Sequence, residues 1–434
     1  MALHDTNHAI YLPAVNQGYA TSVALPLPQG RRFPSGLTPK DLMFWEPNGL
    51  WHYPYLLHSI GQYSVGKAPH AAMDKASRTD SILVGDSGGY QIGSGTLNGL
   101  NYVKQKKMKA ADAVNAWRDE TVARDWIMNW LSAECDYAMT IDMPLWAKDK
   151  KGENSPFHLC STEQLIAMTD QNLRLIDTMC PPHVKWLNVI QGSSSFEDAF
   201  DWWEAVKWFR KGGWALAGSA GVAGGLFNML VIVLMMRDEN AFDAGQDWLH
   251  VLGVSTPFWA AALTAIQEGL RQTNSQLSVS FDSSSPFQTG GRYEEVALTP
   301  AFGIAKSTWT IKTQPAPQHP LSANANCTDA FPHQQSPLGR ILMVNELCVQ
   351  EGMWQARQYD SLSNALLINH NIWVYLDAFQ QANNIVSARD VNRIPSDYLQ
   401  CFDLIKHLFS MTGDWTDELD KNKALLDKVA PFNL

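Results

Sequence analysis

Residues 82–92, ILVGDSGGYQI, run from an apolar triplet into an aspartate, a Ser-Gly-Gly turn and an aromatic ring. Ile82–Val84 read as a buried strand. Gly88 and Gly89 permit backbone geometry that a β-carbon forbids, so another chain segment or a ligand can approach the main chain closely. Asp86 is then left at the carboxyl end of the strand, with Tyr90 beside it as a stacking surface. An acid, a hydroxyl and a flat ring in so short a span suit a planar, hydrogen-bonding ligand. Read alone, the segment is equally a turn that punctuates a strand.

The same succession of apolar strand, polar or glycine-rich loop and longer helix recurs along the chain. Strands are expected at Ile82–Gly85, Tyr137–Asp142, Trp186–Gln191, Trp214–Ala217, Leu249–Gly253 and Leu277–Phe281. Helices are expected at Ala110–Leu131, Thr162–Met179, Phe196–Arg210, Leu226–Met236 and Trp259–Gln272. Such alternation implies a parallel sheet with helices outside it. With weaker strands in the first 60 residues, the α/β class sharpens to a (β/α)8 TIM barrel with insertions, and an open doubly wound sheet is the alternative. The barrel domain is expected over residues 1–313, with its core motifs in 81–293. Residues 314–337, rich in Pro, Ala, Asn and Gln, read as a loop or linker, and 338–434 as a helical C-terminal region completing or packing on the barrel.

The expected strands finish at Asp86, Asp142, Gln191, Gly218, Gly253 and Asp282. In a β/α barrel these ends converge on one face, where reacting groups gather. Each aspartate by itself also reads as a turn or helix cap. Together, carboxylates and a carboxamide on one rim point to chemistry.

Composition narrows the class. The 434 residues are 45% hydrophobic and 18% charged, as in a globular enzyme. The net charge of −10 excludes a generally polyanion-binding surface. Local basic clusters remain, at Lys104, Lys106, Lys107 and Lys109 and at Lys207, Arg210 and Lys211, each readable as a phosphate contact or a solvated face. Six scattered cysteines make no disulfide framework. The opening MALHDTNHAIYLP lacks a basic and then apolar signal, so a cytoplasmic protein is expected. The uncharged run Trp214–Met236 is long enough to cross a bilayer, but its glycine-rich first half and aliphatic second half read better as strand, loop and buried helix.

At this point the chain resembles the tRNA-guanine transglycosylase family. VGDSGGYQ (Val84–Gln91) looks like that family's DSGG-aromatic-Gln segment, and YAMTIDMPLWA (Tyr137–Ala147) is similar to the stretch carrying its base-recognising aspartate. NVIQG (Asn188–Gly192) resembles its VQGG strand end, WALAGSAG (Trp214–Gly221) its GG-Leu-Ala loop, and HVLGVSTP (His250–Pro257) its MGVGTP segment. SFDSSSP (Ser280–Pro286) stands where the family has FDCVLP with its nucleophile, and LLINHNIWVY (Leu366–Tyr375) looks like its C-terminal IHNL helix. The barrel segments keep the family's order over roughly Ser81 to Tyr293.

The resemblance implies a pentosyltransferase that exchanges a nucleic-acid base through a covalent intermediate and needs no cofactor for the chemistry. Asp282 is then the nucleophile at C1′, and Asp86 the general acid and base. Asp142 and Gln191 read the base edge, and the main chain of Gly218, Ser219 and Ala220 takes a 7-substituent. Tyr90 and Leu252 sandwich the ring, and Ser87 assists by hydrogen bonding. A base in a polymer must leave its stack to enter such a pocket.

The departures from the family pattern are as informative. After FDCVLP the family has TRNARNG, whose arginines read the anticodon loop; Phe287–Tyr293 here retains only Arg292. The family's Cys-x-Cys-x-x-Cys zinc cluster is absent, although His370 matches its downstream His, and Cys327 and Cys348 with His319 and His333 leave an altered structural zinc site open. Both losses fall in parts that serve tRNA. The expected polymer is therefore DNA and the incoming base a 7-deazaguanine, 7-cyano-7-deazaguanine above others, with an ATP-hydrolysing partner protein and a homodimer as further implications. A tRNA transglycosylase and a non-catalytic nucleic-acid-binding subunit are the alternatives.

Overall fold

The strand pattern closes on itself. The computed structural model describes residues 5–24, 32–34, 36–179, 183–243, 245–317, 329–347, 349–350 and 358–432. Its strands are β1 (Ile10–Val15), β2 (Tyr55–Ser59), β3 (Ile82–Asp86), β4 (Tyr137–Met139), β5 (Lys185–Ile190), β6 (Gly212–Leu216), β7 (Trp248–Val251) and β8 (Ser278–Ser283). All pair in parallel and in chain order. β1 meets β8 in the register Ile10↔Ser280 to Pro13↔Ser283, which closes the barrel and excludes the open sheet.

Side chains alternate across each strand, so one phase fills the barrel and the other meets the helices. Ile10, Leu12, Leu57, Val84, Met139, Leu187, Val189, Ala215 and Trp248 form the barrel's interior cluster. The opposite phase, including Tyr11, Leu56, Leu83, Trp186, Trp214, Leu249 and Phe281, belongs to the larger core beneath the helices.

The helices are α1 (Gln17–Ser22), α2 (Gly89–Ser94), α3 (Ala110–Arg118), α4 (Thr121–Glu134), α5 (Thr162–Met179), α6 (Glu197–Val206), α7 (Gly225–Asp238), α8 (Pro257–Leu270), α9 (Ser285–Gly291), α10 (Ser361–Ser387), α11 (Ser396–Ser410), α12 (Thr416–Lys421) and α13 (Lys423–Val429). The single helix expected over 110–131 is two, because the Arg124 guanidinium donates to the Arg118 carbonyl (2.7 Å) and ends α3 there. α6 stops short of Arg210 because the Asn188 carboxamide on β5 takes the Val206 and Phe209 carbonyls at 2.8 and 3.2 Å. The run Trp214–Met236 folds as strand, tight turns and the buried α7, and among the described residues no helix is long and apolar enough to cross a membrane.

The C-terminal helices lie on the barrel rather than apart from it. α10 packs on α8 and α9, and α11 on α8. Gly269 and Gly290 permit this: a β-carbon at the first would enter the Phe409 ring, and at the second the Ile368 main chain. Gln314 and Pro315, at the start of the expected loop, instead belong to β10 (Lys312–Pro315), antiparallel to β9 (Glu295–Leu298). Residues 329–337 pack against α10 through Phe331 and Ser336.

Candidate active site

Following the interior phase to the carboxyl end of each strand delivers the rim. Val84 leads to Asp86, Leu57 to Ser59, Val189 to Gln191, Trp248 through His250 to Leu252, and Ser280 to Asp282. Asp142 does not follow this rule. β4 ends at Met139, and the chain turns before the carboxyl enters the site.

Asp282 is held on one oxygen. The Gly253 N–H donates to Oδ1 at 2.9 Å, and His250 Nε2 stands 3.3 Å from the same atom, off the hydrogen-bond axis. Oδ2 takes no hydrogen bond from the described residues. Gly253 has φ +79°, a left-handed conformation that glycine adopts without strain, and this turns its N–H back to the carboxylate.

Asp86 accepts from the Gly88 N–H at 3.1 Å, and Ser59 stands opposite it on the neighbouring strand. Burial raises its pKa above the ordinary carboxylate range; the Ser59 hydroxyl and the Gly88 N–H oppose this, and the Asp282 charge adds to it. A carboxyl so placed takes up a proton more readily than a solvated one, the direction a general acid and base needs.

Asp142 and Gln191 form a buried pair, with Gln191 Nε2 donating to Asp142 Oδ2 at 2.6 Å. Burial pushes the Asp142 carboxyl up to about 7, the Gln191 bond lowering it and the nearby Asp86 charge raising it. Room for the carboxylate comes from Gly89, where a β-carbon would lie 2.7 Å from Asp142 Oδ1. Among the described residues, Gln191 Oε1 is buried without a partner, and so is Ser219 Oγ in the turn after β6. Gly192 lies against Ser219 Oγ and the Ala220 N–H, and Gly218 (φ +58°) against the Gly192 carbonyl, so the β5 and β6 loops interlock. Buried polar atoms left unpaired are costly, and here they mark where a ligand's complementary groups belong.

Other expected residues have more particular surroundings. The Ser87 hydroxyl donates to the Thr140 carbonyl (3.0 Å), tying the ends of β3 and β4 together. Tyr90 is 66% exposed and rests on Trp146, centroids 5.2 Å apart and planes inclined by 31°. Leu252 is half-buried above the interior cluster. Lys104, Lys106, Lys107 and Lys109 are exposed beside the β3 turn. The second basic cluster is neutralised: Lys207 pairs with Glu204 and Glu239, Arg210 with Asp243, and Lys211 with Asp177. Arg292 caps α9 and lines a separate cavity of about 780 Å³ with Asn16, Asn364 and Ile368.

Cys327, Cys348 and His319 lie outside the described residues. His370 is buried, its Nδ1 2.7 Å from the Ser336 hydroxyl and its Nε2 unpartnered. Burial and the adjacent His333 lower its pKa to about 4. An unpartnered, neutral imidazole is what a zinc ligand requires, but among the described residues no three donors gather around it.

Neither a family model nor a curated protein matches this chain. The residues themselves carry the functional reading. Sequence reasoning missed His250, Ser59 and Trp146. The strand phase that selects Asp86 and Gln191 also selects His250 and Ser59, so the signal for those two was present. Trp146 carries no such signal, because its role depends on Tyr90 from another loop.

Proposed function

We propose that this protein is a base-exchange transglycosylase that replaces guanine in DNA with a 7-deazaguanine, most simply 7-cyano-7-deazaguanine. The supporting observation is the rim itself. Asp282 presents a free carboxylate oxygen, Asp86 carries a raised pKa, and the Asp142–Gln191 pair with Ser219 leaves buried polar atoms unsatisfied.

In this reading Asp282 Oδ2 attacks C1′ of the target nucleotide as the bond to guanine N9 breaks. The departing base takes a proton from Asp86. The vacated site accepts the 7-deazaguanine, whose ring N–H gives its proton to the Asp86 carboxylate. That nitrogen attacks C1′, the ester to Asp282 breaks, and two inversions leave the configuration retained. Asp142 and Gln191 Oε1 accept from the ring N–H and amino groups of the base. Ser219 and the main chain of Gly218 and Ala220 take the 7-substituent. Tyr90 and Leu252 enclose the ring.

DNA is preferred over tRNA because the run after Pro286 keeps only Arg292 of the arginines expected to read an anticodon loop. The test is incubation with labelled guanine and either DNA or tRNA, followed by denaturing electrophoresis. Label in DNA, and a denaturation-resistant protein–DNA adduct lost in Asp282→Asn, are expected. Label only in tRNA would overturn the polymer, and an adduct that survives Asp282→Asn would overturn the nucleophile. No label in either polymer would leave the chain as a binding subunit.

A further inference from the structure

Beside the rim lies a second cavity, of about 350 Å³, lined by Tyr90, Trp146, Lys104, Lys106 and Asn154 among others. It begins where the β3 turn ends, since Tyr90 directly follows the Gly89 that makes room for Asp142. The lysine loop is built into that turn rather than merely near it. Lys104 N–H donates to the Gly95 carbonyl that ends α2 (3.0 Å), and Lys107 N–H to the Ser155 carbonyl (2.9 Å). The Ser155 hydroxyl donates in turn to the Gly93 carbonyl at 2.5 Å.

Lys104 and Lys107 have φ of +63° and +47°, left-handed backbone that a non-glycine residue holds only when its surroundings impose it. Among the described residues, none of the four ammonium groups at 104, 106, 107 and 109 meets a carboxylate. This contrasts with the cluster at Lys207, Arg210 and Lys211, where every cation has one. In a chain of net charge −10, exposed and uncompensated lysines beside the exposed Tyr90 ring and the half-buried Trp146 form a local field suited to an anion with a flat ring.

We propose that this groove binds the nucleotide flanking the target in single-stranded DNA, its base against Trp146 and its phosphates on Lys104 and Lys106. The proposal rests on the nucleic-acid reading of the rim and deepens it. The groove adjoins the pocket for the target base, so a strand delivering that base to Asp282 brings its neighbour there. Tyr90 then separates the two bases, with Trp146 on one face and the target on the other. An acidic peptide would satisfy the lysines but leave the aromatic pair unused.

The test is fluorescence anisotropy of a labelled, guanine-containing single-stranded DNA 12-mer with the full chain, over a series of salt concentrations. Lys104→Glu/Lys106→Glu is expected to raise Kd at least 10-fold. The neutral pair Lys104→Ala/Lys106→Ala should make the salt dependence shallower by about 1.4 logarithmic units, for two phosphates at roughly 0.7 each. Trp146→Ala is expected to weaken binding roughly 5- to 100-fold with the salt slope unchanged. Trp146→Phe, which preserves packing, should recover much of that loss, and Lys207→Glu should do nothing. Wild-type binding that none of the groove substitutions alters would overturn the groove while leaving the rim reading intact. No oligonucleotide binding by the wild type would overturn the nucleic-acid reading itself. RNA of the same sequence binding more tightly, with the same losses in the variants, would overturn DNA as the occupant.

Discussion

His250 Nε2 lies 3.3 Å from Asp282 Oδ1, and the opposite ring nitrogen, Nδ1, lies 2.8 Å from the Ser280 hydroxyl. Trp248 donates its indole N–H to that same hydroxyl at 2.7 Å. An indole can only donate, so the Ser280 oxygen accepts there. His250, Ser280 and Trp248 are all buried in the barrel interior, beside Asp282 Oδ1.

His250 is thus a positioning residue. His250→Phe keeps a planar ring but removes the contact, leaving Asp282 oriented by the Gly253 N–H alone. Exchange rate is expected to fall about 10-fold with little change in base KM, the signature of a group that acts on the reacting geometry. His250→Gln, able to donate at a similar reach, should recover part of the rate. Equal effects of both substitutions on rate and KM would contradict this role.

Asp142 gives a prediction with a sign. Burial raises its pKa to about 7, well above the ordinary carboxylate range, so the protonated folded form is favoured. The stability this group contributes is complete below the ordinary carboxylate pKa and is lost as pH rises through about 7. Asp142→Asn retains an acceptor for Gln191 Nε2 but never ionises. Thermal melts should therefore show little difference from wild type near pH 3, below the ordinary carboxylate pKa. At pH 8 the variant should be more stable, by up to roughly 4 kcal/mol. Base exchange should fall at least 100-fold in the same protein.

Gly89→Ala opposes local propensity to tertiary space. Within α2, alanine is favoured over glycine by about 1 kcal/mol. Its β-carbon, however, would stand 2.7 Å from Asp142 Oδ1. Base affinity measured by calorimetry should fall at least 10-fold, and adding Asp142→Asn should cost little more, because both changes act on one carboxylate. Full additivity would contradict the coupling.

Ser219→Ala separates stability from binding. The hydroxyl is buried without a partner, so its removal is expected to leave stability unchanged or raise it by up to about 1 kcal/mol. If the hydroxyl serves the base, affinity for a 7-deazaguanine should drop roughly 5- to 10-fold in the same variant. A loss of stability with unchanged affinity would make Ser219 a structural residue.

Much of the barrel was legible because strands advertise themselves by period two and by apolar runs. Thr162–Met179 folds as read, and the strand ends at Asp86 and Gln191 follow from the phase of Val84 and Val189. The breaks in the expected helices were not legible. They arise where Arg124 and Asn188 take backbone carbonyls, and Asn188 reaches those carbonyls from another element.

The sequence by itself determined the alternation of elements, the identity of the rim carboxylates on β3 and β8, and the retention of Arg292 alone in the run after Pro286. Tertiary structure alone decided that Asp142 enters the site from beyond its strand, beside Gly89. It alone distinguished two basic clusters of similar composition, one neutralised by Glu204, Glu239, Asp243 and Asp177, the other open beside Tyr90 and Trp146. The reason is physical. Periodicity is a property of neighbours along the chain, whereas charge compensation and free space depend on partners that only the closed barrel brings together.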